Sequence, residues 1–587
     1  MAWKPLLRKR TLGNACFEQR IKVIRFLFLT AFFGIFLSLA RIQLFNHQRY
    51  GSAVEKQGYL KVPIPVPRGR ILDRNGRTLA MSVPVYALYL DAWKVRHAEK
   101  NDPEIRKRIA KELCAALAIP AAEMAKKFPL PYPCVKRDLT LDQYQALKES
   151  RLPGLVFTQT YKRMYPFKDM ACHVVGCSNI DDRGMEGVEL FYDKVLHGKE
   201  GLSVMMRDGE GRLIPSLAKR LIEPLPGQDI ALTLDFSIQA IVEEEIENCS
   251  RQVKPASVSV VVMNPDNGEI LALANAPHYD PNRPGGVPLD FRRNRAITDF
   301  FEPGSIFKIV TVTAGLEEGK VKPTEKIYCE KGKYFVRNHI LHDAHPYGSL
   351  SVEDIVIKSS NIGTVKIAMK LGEEQLYSYC RKFRFGRNTG VDLPGEVPGI
   401  LRPVSQWSGY SITAVPIGQE VGINAMQGIR AMAVLSNGGK LVTPHVLKEI
   451  RAPSGPILPD IPVPEQVISP ATCETMTGIL ERVALPGGTA PMARMPGYRV
   501  CGKTGTAQKF EHGHYSGSKY VASFVGYVLK GDMKVIILVT VDEPKGYYYG
   551  GLVSAPVFRN IAWKIMQYWD VPPDENLKKS QLAMKKP

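Results

Sequence analysis

Cysteine is scarce in this sequence, and the cysteines present do not follow the dense spacing of a disulfide-stapled secreted domain. Ten cysteines are spread over 587 residues, which excludes a small domain that disulfides hold together. Cys172 with Cys177 and Cys114 with Cys134 are near enough in sequence to pair, but buried free thiols are expected for most of them. The fold is therefore expected to rest on a hydrophobic core.

Motifs for nucleic-acid binding are also missing, although the chain is strongly basic. Its 78 lysines and arginines exceed its 58 acidic residues by 20, which suits nucleic acid, anionic lipid or anionic wall polymers. No zinc-finger spacing, RNP-like aromatic strand or concentrated basic helix accompanies this charge. We expect a diffusely basic, solvated surface and no nucleic-acid partner.

Only one hydrophobic run is long enough to cross a bilayer. Residues 26–40 carry no charge, and if Arg41 extends toward the interface the apolar stretch continues to Phe45, giving about 20 residues. The flank before it sets one acid, Glu18, against the cations Lys4, Arg8, Lys9, Arg10, Arg20, Lys22 and Arg25. This asymmetry predicts a cytoplasmic tail at 1–22, a transmembrane anchor at 23–45 and later residues outside the cytoplasm. A cleaved signal peptide fits less well, because the run continues past Ser38-Leu39-Ala40.

Two or more folded units are expected after the anchor, since 587 residues exceed what one hydrophobic core usually serves. The first, at 46–225, opens with alternating prolines at 62–67 that indicate an extended linker. Asn75-Gly76 marks a hairpin turn, and strand patterns such as 85–90 and one helical stretch near 103–117 follow. We predict an elongated, β-rich pedestal or docking domain without catalytic residues.

The second unit is predicted at 226–570 as one α+β domain. Strand patterns stand at both ends of the segment, and helical patterns fill its middle from about 304 to 440. The expected strands are 229–234, 257–263, 269–274, 523–529 and 535–541. We therefore expect a sheet built from both ends of the segment. Residues 571–587, with Lys578, Lys579, Lys585 and Lys586, are expected to form a disordered basic tail.

A serine and a lysine are placed to react with each other at the start of a predicted buried helix. Ser305 and Lys308 are three residues apart, and this spacing brings hydroxyl and amine to one face of the first turn. A serine hydroxyl is a weak nucleophile unless a base takes its proton. Lys308 can be that base only as a neutral amine, and burial beside the positive end of a helix favours that state.

The S-x-x-K pattern alone is weak evidence, because the segments 216–219 and 516–519 repeat it. What distinguishes Ser305 is the sequence that follows it. Ser359-Ser360-Asn361 and Lys503-Thr504-Gly505-Thr506 come later in order, and no other S-x-N or K-[ST]-G triplet occurs. We predict that the three stretches fold into one cleft, where a neutral amine contacts a hydroxyl.

The ordered set S-x-x-K, S-x-N and K-T-G resembles the motifs of penicillin-binding proteins and class A β-lactamases. A fuller resemblance, over nearly the whole chain, is to class B penicillin-binding proteins, the monofunctional peptidoglycan D,D-transpeptidases. The segments that carry it are the anchor and residues 68–76, 184–189, 298–305, 503–508 and 548–551. The resemblance implies a transmembrane helix, a pedestal of the dimerisation type, and a penicillin-binding domain with an antiparallel sheet flanked by helices. The second and third motifs look more like the division-septum enzyme than the elongation enzyme.

The resemblance also implies roles for the residues that bond to the reacting carbonyl or move protons. Ser305 would attack the D-Ala-D-Ala carbonyl of a stem peptide, and Lys308 would accept its proton. Ser359 with Lys503 would pass that proton to the departing D-alanine. The backbone N–H groups of Ser305 and Thr506 are the expected oxyanion hole.

Other residues are implied to hold the substrate. Lys503, Thr504 and Thr506 would bind the terminal carboxylate. Asn361 would hold the donor's amide and also contact Lys308. Gly505 would let the peptide approach closely and pair with the strand edge as an added strand.

Ser360 departs from the S-D-N form of the second motif, which weakens an interpretation as a class A β-lactamase. No segment resembles that class's deacylating E-x-x-L-N, so the acyl-enzyme is expected to persist until an amine acceptor arrives. The implied substrates are peptidoglycan stem peptides, with β-lactams as inhibitors and no cofactor. A membrane glycan polymerase and other division proteins are the implied partners, at the inner membrane with the catalytic domain outside the cytoplasm.

Three alternatives stay open. The chain would be an elongation-type transpeptidase, a D,D-carboxypeptidase or β-lactam hydrolase with water as acceptor, or a non-catalytic scaffold that activates a glycan polymerase. A metal site is also weighed, because His339, His342, Asp343 and His345 look like ligands when taken together. The resembling family has polar residues here without a metal, so a supporting loop is favoured over zinc and no metal is predicted.

Overall fold

A long, solvent-exposed apolar helix is the first element that the structure describes. The computed structural model describes residues 11–46, 59–130, 132–207, 213–511, 513–531 and 533–583. Helix α1 spans Thr11–Ala40 and continues as a π-helical turn at Arg41–Phe45. Within those ranges, Phe17–Leu44 is the one helix long and apolar enough to cross a membrane. Its 28 residues would span about 42 Å, which exceeds the hydrocarbon core of about 30 Å.

The pedestal combines two sheets with a small core of its own. Its strands are β1 (Tyr59–Ile64), β2 (Ile71–Leu72), β3 (Thr78–Leu90), β4 (Cys134–Leu139), β5 (Leu155–Met164), β6 (Gly201–Arg207) and β7 (Leu213–Ile222). Its helices are α2 (Ala92–Glu99), α3 (Ile105–Leu117), α4 (Ala121–Lys127), α5 (Leu141–Glu149), α6 (Cys172–Val175), α7 (Gly187–Phe191) and α8 (Asp193–Leu196). β1, β6 and β7 form one antiparallel sheet, while β3 pairs with both β4 and β5. Leu88, Ile109 and Leu147 belong to a separate hydrophobic cluster between this second sheet and its helices.

Two predictions for the pedestal are wrong in detail. The proline-rich segment is not wholly an unpaired linker, because residues 62–64 belong to β1 and Pro63 pairs with Leu202. A proline is tolerated there since β1 is an edge strand. The region also holds several helices where one was predicted, because helices of two turns give weak periodic signals. The hairpin turn at Asn75-Gly76 is confirmed, with Gly76 at a φ of 87° between β2 and β3.

The transpeptidase-like unit is built around a five-stranded antiparallel sheet. The whole unit contains fourteen described strands, which are β8 (Asp229–Leu232), β9 (Ser257–Met263), β10 (Ile270–Ala276), β11 (Lys326–Tyr328), β12 (Lys333–Val336), β13 (His339–His342), β14 (Ser349–Ser351), β15 (Lys440–Leu441), β16 (Leu447–Ala452), β17 (Gly455–Ile457), β18 (Glu465–Gln466), β19 (Arg499–Glu511), β20 (His514–Lys530) and β21 (Met533–Asp542). The main sheet has the order β10-β9-β21-β20-β19. Strands from both ends of the segment therefore form it, as predicted, and β19 is left at an edge.

Helices cover both faces of this sheet. They are α9 (Phe236–Val253), α10 (Leu289–Arg292), α11 (Arg295–Thr298), α12 (Lys308–Glu317), α13 (Val352–Ile357), α14 (Asn361–Leu371), α15 (Glu373–Lys382), α16 (Ser411–Ala414), α17 (Ala425–Ser436), α18 (Pro470–Val483), α19 (Gly550–Tyr568) and α20 (Glu575–Ala583). Short 3-10 turns lie at Gly304–Phe307, Glu330–Gly332, Val404–Gln406, Val415–Ile417 and Pro491–Ala493. α9 and α19 pack on each other and on the sheet, and α17 packs on β9 and β21. This arrangement confirms the predicted α+β domain.

The two units, whose boundary is predicted between 225 and 226, share a sheet. β8 pairs in parallel with β2 of the pedestal and antiparallel with β16. The resulting seven-stranded sheet has the order β17-β16-β8-β2-β3-β4, with β5 joined to β3. One hydrophobic core continues from Ile71 and Leu79 of the pedestal into the transpeptidase-like unit.

A buried ion cluster holds the base of the pedestal together. Arg68 Nε donates to Glu189 Oε2 at 2.6 Å, and Arg163 Nε donates to Glu189 Oε1 at 2.7 Å. Arg68 also pairs with Asp193 at 2.7 Å, and Tyr165 OH donates to Glu189 Oε1 at 3.2 Å. The Arg68, Glu189 and Arg163 side chains are 0%, 0% and 4% exposed. Charges removed from water to this extent need each other, since an unpaired one is very costly.

The described part of the tail predicted to be disordered at 571–587, residues 571–583, is ordered instead. Helix α20 lies there, and its Gln581 is buried. Gln581 Nε2 donates to Tyr498 O at 3.1 Å, and its Oε1 accepts from Gly497 N at 3.0 Å. A polar helix fixed by one buried amide has no apolar pattern for a sequence to reveal. Lys585 and Lys586 lie outside the described residues, as do Lys4, Arg8, Lys9 and Arg10 of the N-terminal flank.

The nine cysteines whose side chains the structure describes are free thiols, and seven of them are buried. Neither Cys172 with Cys177 nor Cys114 with Cys134 is bonded. The expectation of buried free thiols for most cysteines is thus confirmed, since seven of these nine are buried, and the fold of the described residues rests on packing rather than on disulfides.

Candidate active site

The predicted nucleophile stands on a short turn that feeds into a buried helix. Gly304–Phe307 form one 3-10 turn, and α12 begins at Lys308, so Ser305 lies one turn earlier than the α-helix proper. Gly304 has a φ of 52° and donates its N–H to Gly418 O at 3.1 Å, a backbone conformation that glycine adopts without strain. Ile306 and Phe307 are buried and fix the turn, while Ser305 stays half-buried.

Lys308 reaches from α12 to the second motif. Its Nζ donates to the carbonyl oxygen of Ser359 at 2.6 Å and to Ser359 Oγ at 3.1 Å. Ser359 has a φ of 57°, in a region that serine rarely occupies, and such backbone strain is typical of functional sites. In the described residues no hydrogen bond joins Lys308 to Ser305 Oγ. Lys308 directly follows the turn that carries Ser305, but its amine is hydrogen-bonded to Ser359.

Lys503 reaches the same hydroxyl from the other side of the cleft. Its Nζ donates to Ser359 Oγ at 2.9 Å and to Thr504 O at 3.3 Å. Strand β19 carries it along the open edge of the sheet. Residues 308, 359 and 503 are far apart in the chain, yet two amines and one hydroxyl meet here. The structure brings the three predicted stretches together in one cleft.

Burial sets the charge of both lysines. Neither Lys308 nor Lys503 has exposed surface. Loss of hydration lowers the pKa of Lys308 to about 7, against a smaller opposing effect of the Asp343 carboxylate. Loss of hydration, and then repulsion from Lys308, lowers the pKa of Lys503 well below its usual value. A neutral amine near neutral pH is therefore available at Lys308, as base chemistry requires.

Asp343 holds the second motif in place, a role that the sequence did not identify. Its carboxylate accepts from Ser360 Oγ at 2.6 Å, from Asn361 N at 2.5 Å and from Ile362 N at 3.1 Å. Ser360 also accepts from Gly363 N at 3.0 Å and so caps α14. Negative charge at a helix N-terminus is stabilising. The serine that departs from the S-D-N form thus has its own partner.

Asn361 does not make the contact with Lys308 that was predicted. Its Nδ2 donates to His342 O at 2.8 Å, and in the described residues the hydrogen bonds of Lys308 go to Ser359 alone. The Asn361 amide remains half-buried at the cleft. The histidines beside it are not grouped as metal ligands, since no three His, Cys, Asp or Glu of the described residues lie in such a cluster.

The third motif lies against the nucleophile turn because glycine leaves room there. A Cβ built on Gly505 would lie 2.3 Å from Ser523 Oγ and 2.9 Å from Pro303 O, so a larger residue would push β19 away. Thr506 Oγ1 accepts from Gly550 N at 3.0 Å, and a Cβ on Gly550 would lie 2.4 Å from Gly505 O. The segment 548–551 therefore supports the third motif.

The other two S-x-x-K segments are not placed for this chemistry. Residues 216–219 lie in strand β7 and residues 516–519 in strand β20. Neither opens a helix, so neither serine has a lysine one helical turn later. Ser305 was distinguished from these serines by the second and third motifs that follow it in the sequence, and not by the S-x-x-K pattern itself.

Two family models match the chain, one for each unit. The penicillin binding protein transpeptidase domain matches residues 258–562, and the penicillin-binding protein dimerisation domain matches residues 63–232. Together they cover the pedestal and the unit that holds the cleft.

Relatives are similar over nearly their full length. The probable peptidoglycan D,D-transpeptidase PenA of Neisseria gonorrhoeae is 32% identical over 93% of this chain and 91% of its own. The peptidoglycan D,D-transpeptidase FtsI of Escherichia coli K12 is 32% identical over 87% of this chain and 85% of its own. Stage V sporulation protein D of Bacillus subtilis is 31% identical, over 96% and 88%.

Solved structures share the fold. The crystal structure of penicillin binding protein 3 from Mycobacterium tuberculosis with ampicillin has a TM-score of 0.68 at 28% identity, covering 88% of this chain and 98% of that one. A peptidoglycan synthetase from Bifidobacterium adolescentis has a TM-score of 0.72 at 24% identity, covering 88% and 98%. The second likeness concerns the fold alone.

Proposed function

Because this chain belongs to the family of penicillin-binding protein transpeptidases, we propose that it is a membrane-anchored peptidoglycan D,D-transpeptidase working through an acyl-Ser305 intermediate. The observation that carries the proposal is the convergence of Lys308 and Lys503 on one hydroxyl, Ser359 Oγ, beside the nucleophile turn. Desolvated amines in a hydrogen-bonded chain are what a serine acyltransferase without histidine needs.

In the first step Ser305 Oγ attacks the penultimate D-alanine carbonyl, and neutral Lys308 accepts the hydroxyl proton. The backbone N–H groups of Ser305 and Thr506 stabilise the oxyanion. The proton then passes through Ser359 and Lys503 to the departing D-alanine nitrogen, a route for which the 3.1 Å and 2.9 Å contacts of Ser359 Oγ are suited. In the second step an acceptor amine attacks the acyl carbon and releases Ser305.

Substrate binding falls to residues along the edge strand. Lys503, Thr504 and Thr506 take the terminal carboxylate, and Asn361 takes the donor's amide. No strand of the described residues pairs with the outer edge of β19, so an extended peptide can add there as a further strand. Gly505 lets this strand lie against the nucleophile turn, because a Cβ there would meet Pro303 O at 2.9 Å, and so brings the edge close to Ser305.

The acceptor in the second step is an amine rather than water. The enzyme acts in septal wall synthesis and is sensitive to penicillin. Support for the septal role comes from the S-S-N and K-T-G-T-A-Q forms of the second and third motifs. The orientation, with the catalytic unit outside the cytoplasm, is supported by the cations Arg20, Lys22 and Arg25 before the apolar helix. Localising a tagged copy of the protein in growing cells tests the septal role: a signal at the septum supports it, and a signal along the lateral wall contradicts it.

Mass spectrometry tests the reaction. Full-length protein incubated with benzylpenicillin is expected to carry one adduct, on the proteolytic fragment that contains Ser305, and a D-alanyl-D-alanine peptide should delay its formation. An adduct on another residue would contradict the proposal. The acyl-enzyme formed from a peptide should also persist without an amine, and a lifetime of seconds or less would favour a D,D-carboxypeptidase.

The rate of penicillin acylation is expected to rise with pH through about 7 and then level off. Below that pH Lys308 is protonated and cannot accept the Ser305 proton, because its pKa lies at about 7. Stopped-flow measurements from pH 5.5 to 9 give the pH–rate profile. On its rising limb, below the pKa of Lys308, the acylation rate should increase about tenfold for each pH unit. A rate independent of pH across this range would contradict the role of Lys308.

Asp343→Asn provides the matched variant for this pH series. Burial lowers the pKa of Lys308, and the Asp343 carboxylate opposes that effect by raising it. Removing the carboxylate charge should therefore move the limb to lower pH. Damage to the second motif alone would lower the plateau and leave the limb where it was.

A further inference from the structure

A cavity of about 710 Å³ lies beside the nucleophile turn and is lined by none of the residues to which a catalytic or substrate-binding role is assigned above. It is bounded by the main sheet, by residues 299–302 just before the turn, and by two later segments that contain Ile400 and Glu420. Ala507 forms part of its wall, and a Cβ built on Gly304 would lie 3.4 Å from the Cβ of Ala507. Glu302 lines the cavity three residues before Ser305. The wall of the cavity is therefore in contact with the turn that carries the acyl group.

Two acidic residues of the cavity lining, Glu302 and Glu420, have no cation partner among the described residues. Glu302 Oε1 accepts from Glu420 N at 3.0 Å and from Tyr515 OH at 3.2 Å, whereas its Oε2 is buried and has no hydrogen-bond partner. Glu420 accepts from Ser411 Oγ at 2.6 Å. In the part of the chain that the structure describes, neither carboxylate forms an ion pair. Burial, and then repulsion from Glu420, raises the pKa of Glu302, as expected for a carboxylate lacking its counter-charge.

One cation of the same wall is also without a partner. Arg402 is exposed, and its guanidinium forms no hydrogen bond or ion pair among the described residues. The other two cations, Arg295 and Lys509, are already paired with carboxylates. Phe300 and Ile400 add apolar surface. The unmet charges thus call for a ligand that is positive at one end and negative at the other.

We propose that this cavity binds the end of the acceptor peptide that carries an amine next to a carboxylate. The ammonium lies at Glu302 and Glu420, and the carboxylate lies at Arg402. The inference rests on the proposed function, because an acceptor amine is needed only by a transpeptidase. A peptide held in this way has its amine beside the turn that bears acyl-Ser305, before the amine loses its proton and attacks.

Acceptor kinetics on the full-length protein test this site. A D-alanyl-D-alanine peptide acylates Ser305, and transfer to isotopically labelled D-alanine or to D-alaninamide is measured against acceptor concentration. Glu302→Gln should raise the KM for both acceptors about tenfold, because a charge-assisted hydrogen bond is lost. Arg402→Ala should raise the KM for D-alanine alone, since D-alaninamide has no carboxylate. Both variants should keep the wild-type rate of penicillin acylation.

Glu465→Gln is the control, because Glu465 is an exposed partner of Arg384 and lies outside the cavity. Unchanged acceptor KM values in both test variants would overturn the inference and leave a hydrated cavity. Slower penicillin acylation in Glu302→Gln would also overturn it, by assigning the carboxylate to support of the nucleophile turn. If Glu302→Gln lowers the melting temperature, its kinetics are set aside, and the acceptor KM values of Arg402→Ala alone decide whether the inference holds. Absence of an acyl-enzyme in the wild type contradicts the proposed function instead.

Discussion

Replacing Ser305 by alanine should abolish covalent labelling by a fluorescent penicillin. We propose that Ser305 Oγ is the atom that bonds to the β-lactam carbonyl, and no neighbouring group on the turn could replace it. In the described residues this hydroxyl makes no hydrogen bond, so its loss should leave the fold intact. We expect acylation to fall by roughly a thousandfold or more, as when other serine nucleophiles are removed. In-gel fluorescence with an unchanged melting curve measures both points.

The chain supplies its own control for this experiment. Ser516 begins another S-x-x-K segment, but it lies in strand β20, where its Oγ accepts from Lys519 N at 3.1 Å. Ser516→Ala should label like the wild type. Labelling of Ser305→Ala at the wild-type level would remove the proposed mechanism, whatever the control does.

Replacing Glu189 by alanine should destabilise the pedestal by about 3–5 kcal/mol. The change leaves Arg68 and Arg163, whose side chains are 0% and 4% exposed, without the carboxylate that neutralises both. Arg68 would retain Asp193 at 2.7 Å, but Arg163 would keep only neutral acceptors. Denaturant unfolding followed by tryptophan fluorescence measures the loss.

Asp138→Ala is the matched control for Glu189→Ala. Asp138 pairs with Lys162 at 2.7 Å, but those side chains are 45% and 55% exposed, so the pair is screened by water. Its removal should cost no more than about 1 kcal/mol. Equal effects of the two substitutions would mean that the buried cluster contributes no more than a surface pair.

The elements that the sequence predicted correctly are those whose signal is local. The β-branched run at 257–263 and the strands near 523–541 are buried on both faces, so composition alone indicated them. Ser305, Ser359 and Lys503 were predicted together because their motifs occur in a fixed order. The structure adds the contacts between them, which no spacing along the chain contains.

What the sequence missed depends on distant partners. Asp343 is one carboxylate in a loop with several histidines, and only its contacts with Ser360 and Asn361 reveal that it caps α14. Pro63 looks like a linker residue until β6 is beside it. Gln581 has no pattern around it, and its burial depends on Gly497 and Tyr498. In each case the information lies in residues far away in the chain.

The meeting of Lys308 and Lys503 at one hydroxyl couples the ionisation of the two amines. Two desolvated ammonium groups this close repel, so a charge on one favours loss of the proton from the other. A peptide whose C-terminal carboxylate docks beside Lys503, as proposed, would stabilise the positive form of Lys503 and drive Lys308 toward its free base. The negative charge of the ligand would thereby favour the protonation state that its cleavage requires. A substrate mimic without this carboxylate should acylate Ser305 more slowly.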